Sequence, residues 1–268
     1  LYENGEGINR NYTKAVEYYT KSADLGNPKA QFNLGLMYAK GDGVTIDKQK
    51  AVELYEKAAE QGNAKAQSNL GLMYSRGDHV EKDYQKALDL YEKAAEQNDA
   101  DAQFNLGLMY DKGEGVPADK QKAVELYKKA AENGNTKALF NLAVMYHKGE
   151  EGILEKDNQE SIRLYQLAAD KGNAKAQFNL GVLYSKGDVD VPTDKERAVE
   201  LFQLAADQGD ADAQLNLGAM YAKGIGVPQP DRAKAIELYK KAAKQNNPKA
   251  QYNLATLYYT MEKKVTRT

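Results

Sequence analysis

Apolar residues recur along this chain three and four positions apart, in two alternating patterns. In the first pattern, Ala30, Leu34 and Tyr38 form one stripe with Gly35 beside it. In the second pattern, which spans residues 48–61, the apolar residues that fall on one side of the predicted helix are Ala51, Val52, Leu54, Tyr55, Ala58 and Ala59. Each pattern predicts an amphipathic helix with one buried side. Because glycine has no side chain, Gly35 is expected to allow a neighbouring helix to approach closely.

The two patterns return together at a regular interval. The Asn-Leu-Gly/Ala centre of the first pattern lies at Asn33, Asn69, Asn105, Asn141, Asn179, Asn216 and Asn253, in steps of 36, 36, 36, 38, 37 and 37 residues. A period of this size is typical of arrays of helix pairs, in which each repeat packs only on its neighbours. The sequence therefore predicts an all-α repeat protein with a period of 36–38 residues.

Asn or Asp, the residues that favour the N-cap position, precedes each predicted helix. These residues are Asn27, Asn63, Asp99, Asn135, Asn173, Asp210 and Asn247 before the helices of the first pattern, and Asn11, Asp47, Asp83, Asp119, Asp157, Asp194 and Asp231 before those of the second. Gly41 and Gly62 are predicted to end the two helices of one repeat. We call the helices first-type and second-type below.

This spacing predicts three segments. Residues 1–26 form a partial first repeat, residues 27–259 form six full helix pairs plus a final first-type helix, and residues 260–268 form a C-terminal cap or tail. Because Leu1 and Tyr2 align with Met37 and Tyr38, near the end of a first-type helix, the chain is expected to be a fragment of a longer protein. The sequence does not assign a compartment, and the alternatives are the cytoplasm and a periplasmic or secreted location.

Composition excludes several functional classes. With 37 Lys and Arg against 39 Asp and Glu, the chain has no net positive field for a nucleic-acid backbone. No cysteine is present, which excludes disulfides, cysteine-based metal sites and cysteine nucleophiles. No apolar run reaches the roughly 18 to 20 residues of a membrane span, so membrane insertion is not expected. The sequence predicts a soluble fragment.

Residues that carry catalysis or bind metals are sparse. His79 and His147 lie nearly two repeats apart. The acidic loop at Asp188, Asp190 and Asp194 lacks the glycine and distal glutamate of a calcium loop. The Gly-x-Gly loops, such as that of Gly41, lack the preceding strand and the Lys-Ser/Thr of a phosphate loop. We therefore expect no catalysis, no metal site and no cofactor.

The repeat resembles a known family. An Ala-x3-Leu-Gly-x2-Tyr helix, a Gly-x-Gly-Val loop and a Lys-Ala-x3-Tyr-x2-Ala-Ala-x2-Gly helix are similar to the Sel-one-like repeat, a longer-looped relative of the tetratricopeptide repeat. The resemblance covers the chain to about Tyr259. It implies a right-handed α/α superhelix that serves as an adaptor or scaffold, with relatives in bacterial signalling, host interaction and protein degradation complexes. Some bacterial relatives with a cysteine pair in each repeat are connected with binding penicillin-like compounds, an activity not expected here because the chain has no cysteine.

In related helical arrays the first helices line the concave side, so two rows of residues are candidates for binding a partner there. The first row consists of Phe32, Ser68, Phe104, Phe140, Phe178, Leu215 and Tyr252, with Leu36 beside Phe32. These side chains lie roughly 200° around the helix from the core stripe, and they could hold an extended or helical peptide. The alternative is that neighbouring first-type helices pack against one another and bury much of this row.

The second row is the repeated asparagine: Asn33, Asn69, Asn105, Asn141, Asn179, Asn216 and Asn253. A helix interior has no intrinsic need for Asn, and a series of amides can bond a peptide backbone of any sequence. The alternative is a structural bond to the adjacent repeat. The residue after the core tyrosine varies among repeats, as at Asp111 and His147, and this variation is a candidate source of partner specificity.

The sequence thus predicts a non-catalytic adaptor that binds a protein or peptide along the concave face. The alternative is a structural spacer, or a module that associates end to end without a ligand in the groove.

Overall fold

A computed structural model describes residues 11–188 and 191–265 of the chain, with side chains described as far as residue 260. The predicted tail of a first-type helix at residues 1–7, and Asp190 of the acidic loop, lie outside the described residues. Within them there are fourteen α-helices. They are α1 (Tyr12–Asp24), α2 (Pro28–Lys40), α3 (Lys48–Glu60), α4 (Ala64–Arg76), α5 (Tyr84–Glu96), α6 (Ala100–Lys112), α7 (Lys120–Glu132), α8 (Thr136–Lys148), α9 (Asn158–Asp170), α10 (Ala174–Lys186), α11 (Lys195–Asp207), α12 (Ala211–Lys223), α13 (Arg232–Lys244) and α14 (Pro248–Val265).

The chain divides into two compact units, residues 1–138 and 139–268, and the division falls within α8. In the first unit each helix from α1 to α7 packs on the next along the chain, and in the second unit the helices from α9 to α14 do the same. Even-numbered helices are first-type and odd-numbered helices are second-type. The predicted all-α solenoid of helix pairs is confirmed.

Helix starts follow the predicted caps. All fourteen predicted Asn and Asp residues lie immediately before a helix, and each accepts a hydrogen bond from a backbone N–H two or three residues further on. Asp47 Oδ1, for example, accepts from Lys50 N at 2.9 Å. Such a bond satisfies a backbone donor that the helix itself cannot. The cap pattern therefore fixed the helix starts correctly.

Helix ends use left-handed residues that are not all glycine. Gly41 has φ +83°, as predicted. The other second-type helices are followed by a glycine with positive φ. After α5 and α13 the same position holds Asn98 and Asn246, which adopt φ of 61° and 62°. Asn tolerates this region better than most residues because its short side chain bonds locally. The repeat geometry is thus kept where the glycine is missing.

The core of each repeat lies between the two helix types. The six predicted apolar residues of α3 are all buried, as are Ala30 and Leu34 of α2. A Cβ on Gly35 would lie 2.8 Å from Cε1 of Tyr55, which confirms that this glycine permits the close approach of α3. Tyr38, predicted in the core stripe, is only half-buried. The ammonium of Lys50 lies 4.6 Å from its ring centroid.

A row of buried glutamines joins successive repeats. Gln103 in α6 donates to the carbonyl of Ala95 at 3.1 Å and accepts from the amide of Asn133 at 2.9 Å. The side chain of Gln103 is thus hydrogen-bonded both to α5, the preceding second-type helix, and to the C-cap residue of α7, the following one. The same pair of bonds is made by Gln31, Gln67, Gln177 and Gln214. Leu139 takes this position in α8 and has no amide to contribute.

Candidate functional site

The second unit contains a groove between the first-type helices α10, α12 and α14, with a volume of about 690 Å³. Its lining comprises Phe178, Asp212, Leu215, Asn216, Ala219, Pro248, Lys249, Tyr252 and Asn253. Phe178, Leu215, Ala219 and Tyr252 supply apolar surface, and Asp212, Asn216, Lys249 and Asn253 supply polar groups. An apolar groove with a few polar groups is the usual form of a binding site.

The second-type helices α11 and α13 pack against the core side of the helices that line this groove. The ring of Phe178 packs against that of Phe202 in α11, with centroids 5.8 Å apart. Leu217 and Gly218 of α12 are buried, and a Cβ on Gly218 would lie 2.8 Å from Tyr239 in α13. Because these neighbours fix the buried side of α12, the side chains of Leu215, Asn216 and Ala219 line the opening on its other side.

Five of the seventeen candidate binding residues line this groove: Phe178, Leu215, Asn216, Tyr252 and Asn253. Four others lie elsewhere in the second unit: Phe140, Asn141, His147 and Asn179. The remaining eight lie in the first unit: Phe32, Asn33, Leu36, Ser68, Asn69, Phe104, Asn105 and Asp111.

The aromatic row is largely part of the core. Phe32 and Phe104 are buried, and their rings pack 5.8 Å from Tyr55 and 5.7 Å from Tyr127. Phe140 and Phe178 are half-buried, and Leu36 is half-buried against the same core as Phe32. In α14, by contrast, Tyr252 keeps 72% of its surface exposed. Phe32 and Phe104 are therefore buried, but their ring contacts are to the second-type helix of their own repeat and not to a neighbouring first-type helix as the alternative had it, while the ring of Tyr252 is exposed.

The repeated asparagine bonds a tyrosine hydroxyl in several repeats. The amide of Asn179 donates to the hydroxyl of Tyr165 at 3.2 Å. Tyr55 shares a hydrogen bond with Asn69, and Tyr239 shares one with Asn253. Burial raises the pKa of Tyr55 to about 12, and the bond from Asn69 opposes this shift. These asparagines thus satisfy a buried hydroxyl of the preceding second-type helix, which is a structural role.

Asn216 differs because Phe202 replaces the tyrosine of α11. Phenylalanine has no hydroxyl, so the amide nitrogen of Asn216 donates instead to the carbonyl of Asp212 in its own helix, at 2.8 Å. Its side-chain oxygen accepts no hydrogen bond within the described residues. This asparagine lines the groove and is available to a partner.

The variable position after the core tyrosine is also involved in packing. The carboxylate of Asp111 accepts a hydrogen bond from the Tyr127 hydroxyl at 3.4 Å, and the side chain of Ser75 shares a hydrogen bond with Tyr91. His147 is half-buried, and its Nδ1 atom has no hydrogen-bond partner in the described part of the chain. Asp111 is therefore engaged within its own repeat.

Four groove residues were not predicted: Asp212, Ala219, Pro248 and Lys249. One signal was present in the sequence, because Ala219 is the smallest residue at the position that holds Leu36, Leu72 and Leu108 in earlier repeats. Comparing residue volumes between repeats would have found it. Asp212 and Lys249 are ordinary surface charges whose position in a groove only the packing of α12 and α14 reveals.

The described ranges, 11–188 and 191–265, contain no cluster of three or more His, Asp or Glu side chains placed to hold a metal ion. Among the helices described, none has the length and apolar character to cross a membrane.

Known structures are similar to this chain over nearly its whole length. A protective antigen of uropathogenic Escherichia coli with an SLR fold is 38% identical, with a TM-score of 0.76, and the match covers 97% of this chain and 55% of that protein. A Sel1 repeat protein from Oxalobacter formigenes is also 38% identical, with a TM-score of 0.80, covering 96% of this chain and 73% of that one. An immunity protein of Pseudomonas aeruginosa is 26% identical, with a TM-score of 0.53, covering 83% of each chain. This chain thus spans about half the length of the Escherichia coli protein. No curated protein sequence matches it.

The family model described as Sel1 repeat matches eight successive segments, at residues 1–27, 28–63, 64–99, 100–135, 136–173, 174–210, 211–247 and 248–261. Together with the capped helix pairs and the glycine that receives a tyrosine ring in most repeats, these matches show that the chain belongs to the Sel1 repeat family.

Proposed function

We propose that this chain is a non-catalytic adaptor that binds a segment of a partner protein in the groove of α10, α12 and α14. The observation that carries the proposal is Asn216, an asparagine of the repeat whose side-chain oxygen accepts no hydrogen bond within the described residues and which lines the same groove as the exposed ring of Tyr252. An amide oxygen accepts a backbone N–H of any sequence, and a tyrosine ring offers a large apolar contact. Sel1 repeat proteins generally mediate protein interactions, which supports the proposal.

The groove suits a polypeptide better than a small molecule. It is open and lined by residues of three helices, and its polar groups lie on α12 and α14. Small-molecule sites usually enclose most of the ligand's surface. The similarity to an immunity protein also fits a protein partner, although it concerns that protein and not this chain.

A random peptide library displayed on phage, panned against the immobilised full chain, tests this proposal. We expect peptides to be enriched and to bind the wild type in a fluorescence anisotropy assay. The double variant Asn216→Ala and Tyr252→Ala should weaken binding about tenfold or more, since each group contributes about 1 kcal/mol or more at a contact. The control Lys244→Ala changes an exposed residue of α13 and should bind as the wild type does. Failure to enrich any peptide, or equal binding by the double variant, would contradict the proposal.

End-to-end association without a groove ligand is the second candidate. It is motivated by the architecture, in which each helix within a unit packs on the next, so that a second copy can extend the stack. Tyr252 and Tyr258 of α14, the last helix described, are 72% and 42% exposed. Sedimentation velocity over a range of protein concentrations distinguishes the two candidates. A monomer at all concentrations supports the adaptor, and polymer that disappears in Tyr252→Ser with Tyr258→Ser supports self-association.

A further inference from the structure

Resting on the proposed function, we propose that Ala219 creates an anchor subsite for one aliphatic side chain of the partner. The partner is inferred to be a protein segment in which that aliphatic residue has a basic residue and an acidic residue as near neighbours.

The subsite follows from a change of size along the repeats. The position of Ala219 is occupied by Leu36, Leu72, Leu108, Val144, Val182, Ala219 and Thr256 in successive first-type helices. Leu36 packs on a core cluster of the first unit that includes Phe32 of the aromatic row, and Leu72 packs on a second core cluster of that unit. Alanine lacks the branched end of leucine, so α12 leaves empty the space that a leucine would fill.

A second change enlarges the same opening. Leu215 stands where Phe32 and Phe104 place buried rings in the first unit. With a smaller residue at both positions of α12, the space between Phe178 and Tyr252 becomes part of the groove. Its walls are apolar, so a side chain that enters it must be apolar to compensate for the loss of water.

Polar groups beside the subsite indicate a polypeptide rather than a lipid chain. The free oxygen of Asn216 lies one helical turn or less from Ala219, within reach of a backbone N–H next to the inserted side chain. A fatty chain has no donor for it. The preference for a polypeptide therefore comes from the pairing of an apolar opening with one amide oxygen that accepts no hydrogen bond from the described part of the chain.

The rim of the groove provides one charge of each sign. Asp212 accepts a hydrogen bond from Asn247 at 3.0 Å, and neither Asp212 nor Lys249 forms an ion pair within the described residues. Charge complementarity therefore favours a segment that carries both a basic and an acidic residue. A polyanion or a uniformly basic segment would meet one repulsive group.

The test uses the enriched phage peptides against the full chain and three variants. Ala219→Leu restores the residue of three earlier repeats and fills the subsite, while Ala219→Ser keeps it small. We expect Ala219→Leu to weaken binding about tenfold or more, and Ala219→Ser to bind within about threefold of the wild type. The peptides should share one aliphatic position, and replacing that residue by Ala should weaken binding to the wild type but not to Ala219→Leu. Thermal melts by circular dichroism establish that both variants fold.

The outcomes separate this inference from the proposed function. If Ala219→Leu binds the peptides as tightly as the wild type while Asn216→Ala weakens them, the groove binds a partner and the anchor subsite is wrong. If the peptides also bind the double variant Asn216→Ala with Tyr252→Ala as tightly as the wild type, the proposed function itself is wrong. Association of the chain with itself that Ala219→Leu abolishes would show a second copy as the occupant and overturn the peptide proposal.

Discussion

In the repeats of Asn179 and Asn216, the aromatic residue of the preceding second-type helix determines what the asparagine does. Where Tyr165 is present, its buried hydroxyl needs a partner and Asn179 supplies one at 3.2 Å. Where Phe202 replaces the tyrosine, Asn216 has no hydroxyl to bond and lines the groove. The same repeated residue is therefore structural in one repeat and available for binding in another.

Substituting these two asparagines separates the roles. Asn179→Ala should lower the free energy of unfolding by about 1 to 2 kcal/mol, because the Tyr165 hydroxyl is left buried without a partner. Asn216→Ala should leave it unchanged or raise it by a few tenths of a kcal/mol, since Ala favours the helix. Urea titrations of both variants measure the difference. Equal destabilisation would contradict the assignment.

Two buried tyrosines make the first unit sensitive to alkali. Burial raises the pKa of Tyr55 and that of Tyr91 to about 12, from an ordinary 10.0. The folded chain keeps protons that the unfolded chain loses above pH 10, so stability is unaffected below that pH and falls as the pH rises towards 12. The loss should be about 2 kcal/mol per tyrosine. Urea midpoints measured at about pH 9 and about pH 11.5 should differ less for Tyr55→Phe than for the wild type.

At the scale of the helix, buried amides specify how one repeat meets the next. Each glutamine of the row bonds a carbonyl of the preceding second-type helix and an amide of the following one, so it ties three helices together. Apolar packing is tolerant of small shifts along a helix, whereas a buried amide is satisfied in one register only. The glutamines thus add specificity to the packing of alanines and leucines.

Gln103→Ala should therefore destabilise the protein by about 2 to 4 kcal/mol, through an unsatisfied carbonyl and a cavity. Gln251 holds the same position in α14 but is exposed, so Gln251→Ala should change stability by less than about 0.5 kcal/mol. The free energies come from urea unfolding followed by circular dichroism. A similar cost at both positions would show that helix propensity, and not the buried bonds, accounts for the effect.

For the molecule as a whole, the repeat is the unit of construction. Within each unit a helix packs on its neighbours in sequence, and equivalent residues recur at equivalent contacts. Stability in such an array is close to a sum over repeats and the interfaces between them. A whole repeat can then be removed without leaving a mismatched surface.

Deleting residues 64–99 joins α3 directly to α6, so that Asn105 meets Tyr55 and Gln103 meets the carbonyl of Ala59. We expect this variant to fold with unchanged helicity per residue and with a melting temperature lower by several degrees. Deleting residues 64–81 instead places α5 after α3, two second-type helices in succession, and should abolish cooperative melting. Cooperative melting of both variants would contradict the repeat model.

Much of the fold was predictable because its signals are local. Asp47 and its equivalents cap helices through bonds that span two or three residues, and Ala51, Val52 and Tyr55 reveal a buried face by spacing alone. The site was predictable only in part. The sequence marked Asn216 and Tyr252 as members of rows but gave no way to tell them from Asn179 and Phe104.

The sequence by itself determined the helices, their caps, the period and the family, because each depends on residues within one or two turns or on their exact recurrence. The tertiary structure decided which asparagine is free, which aromatic ring is covered and where a groove opens. Those properties depend on side chains such as Phe202 and Tyr252 that different helices bring together, so they are fixed by packing across the repeats.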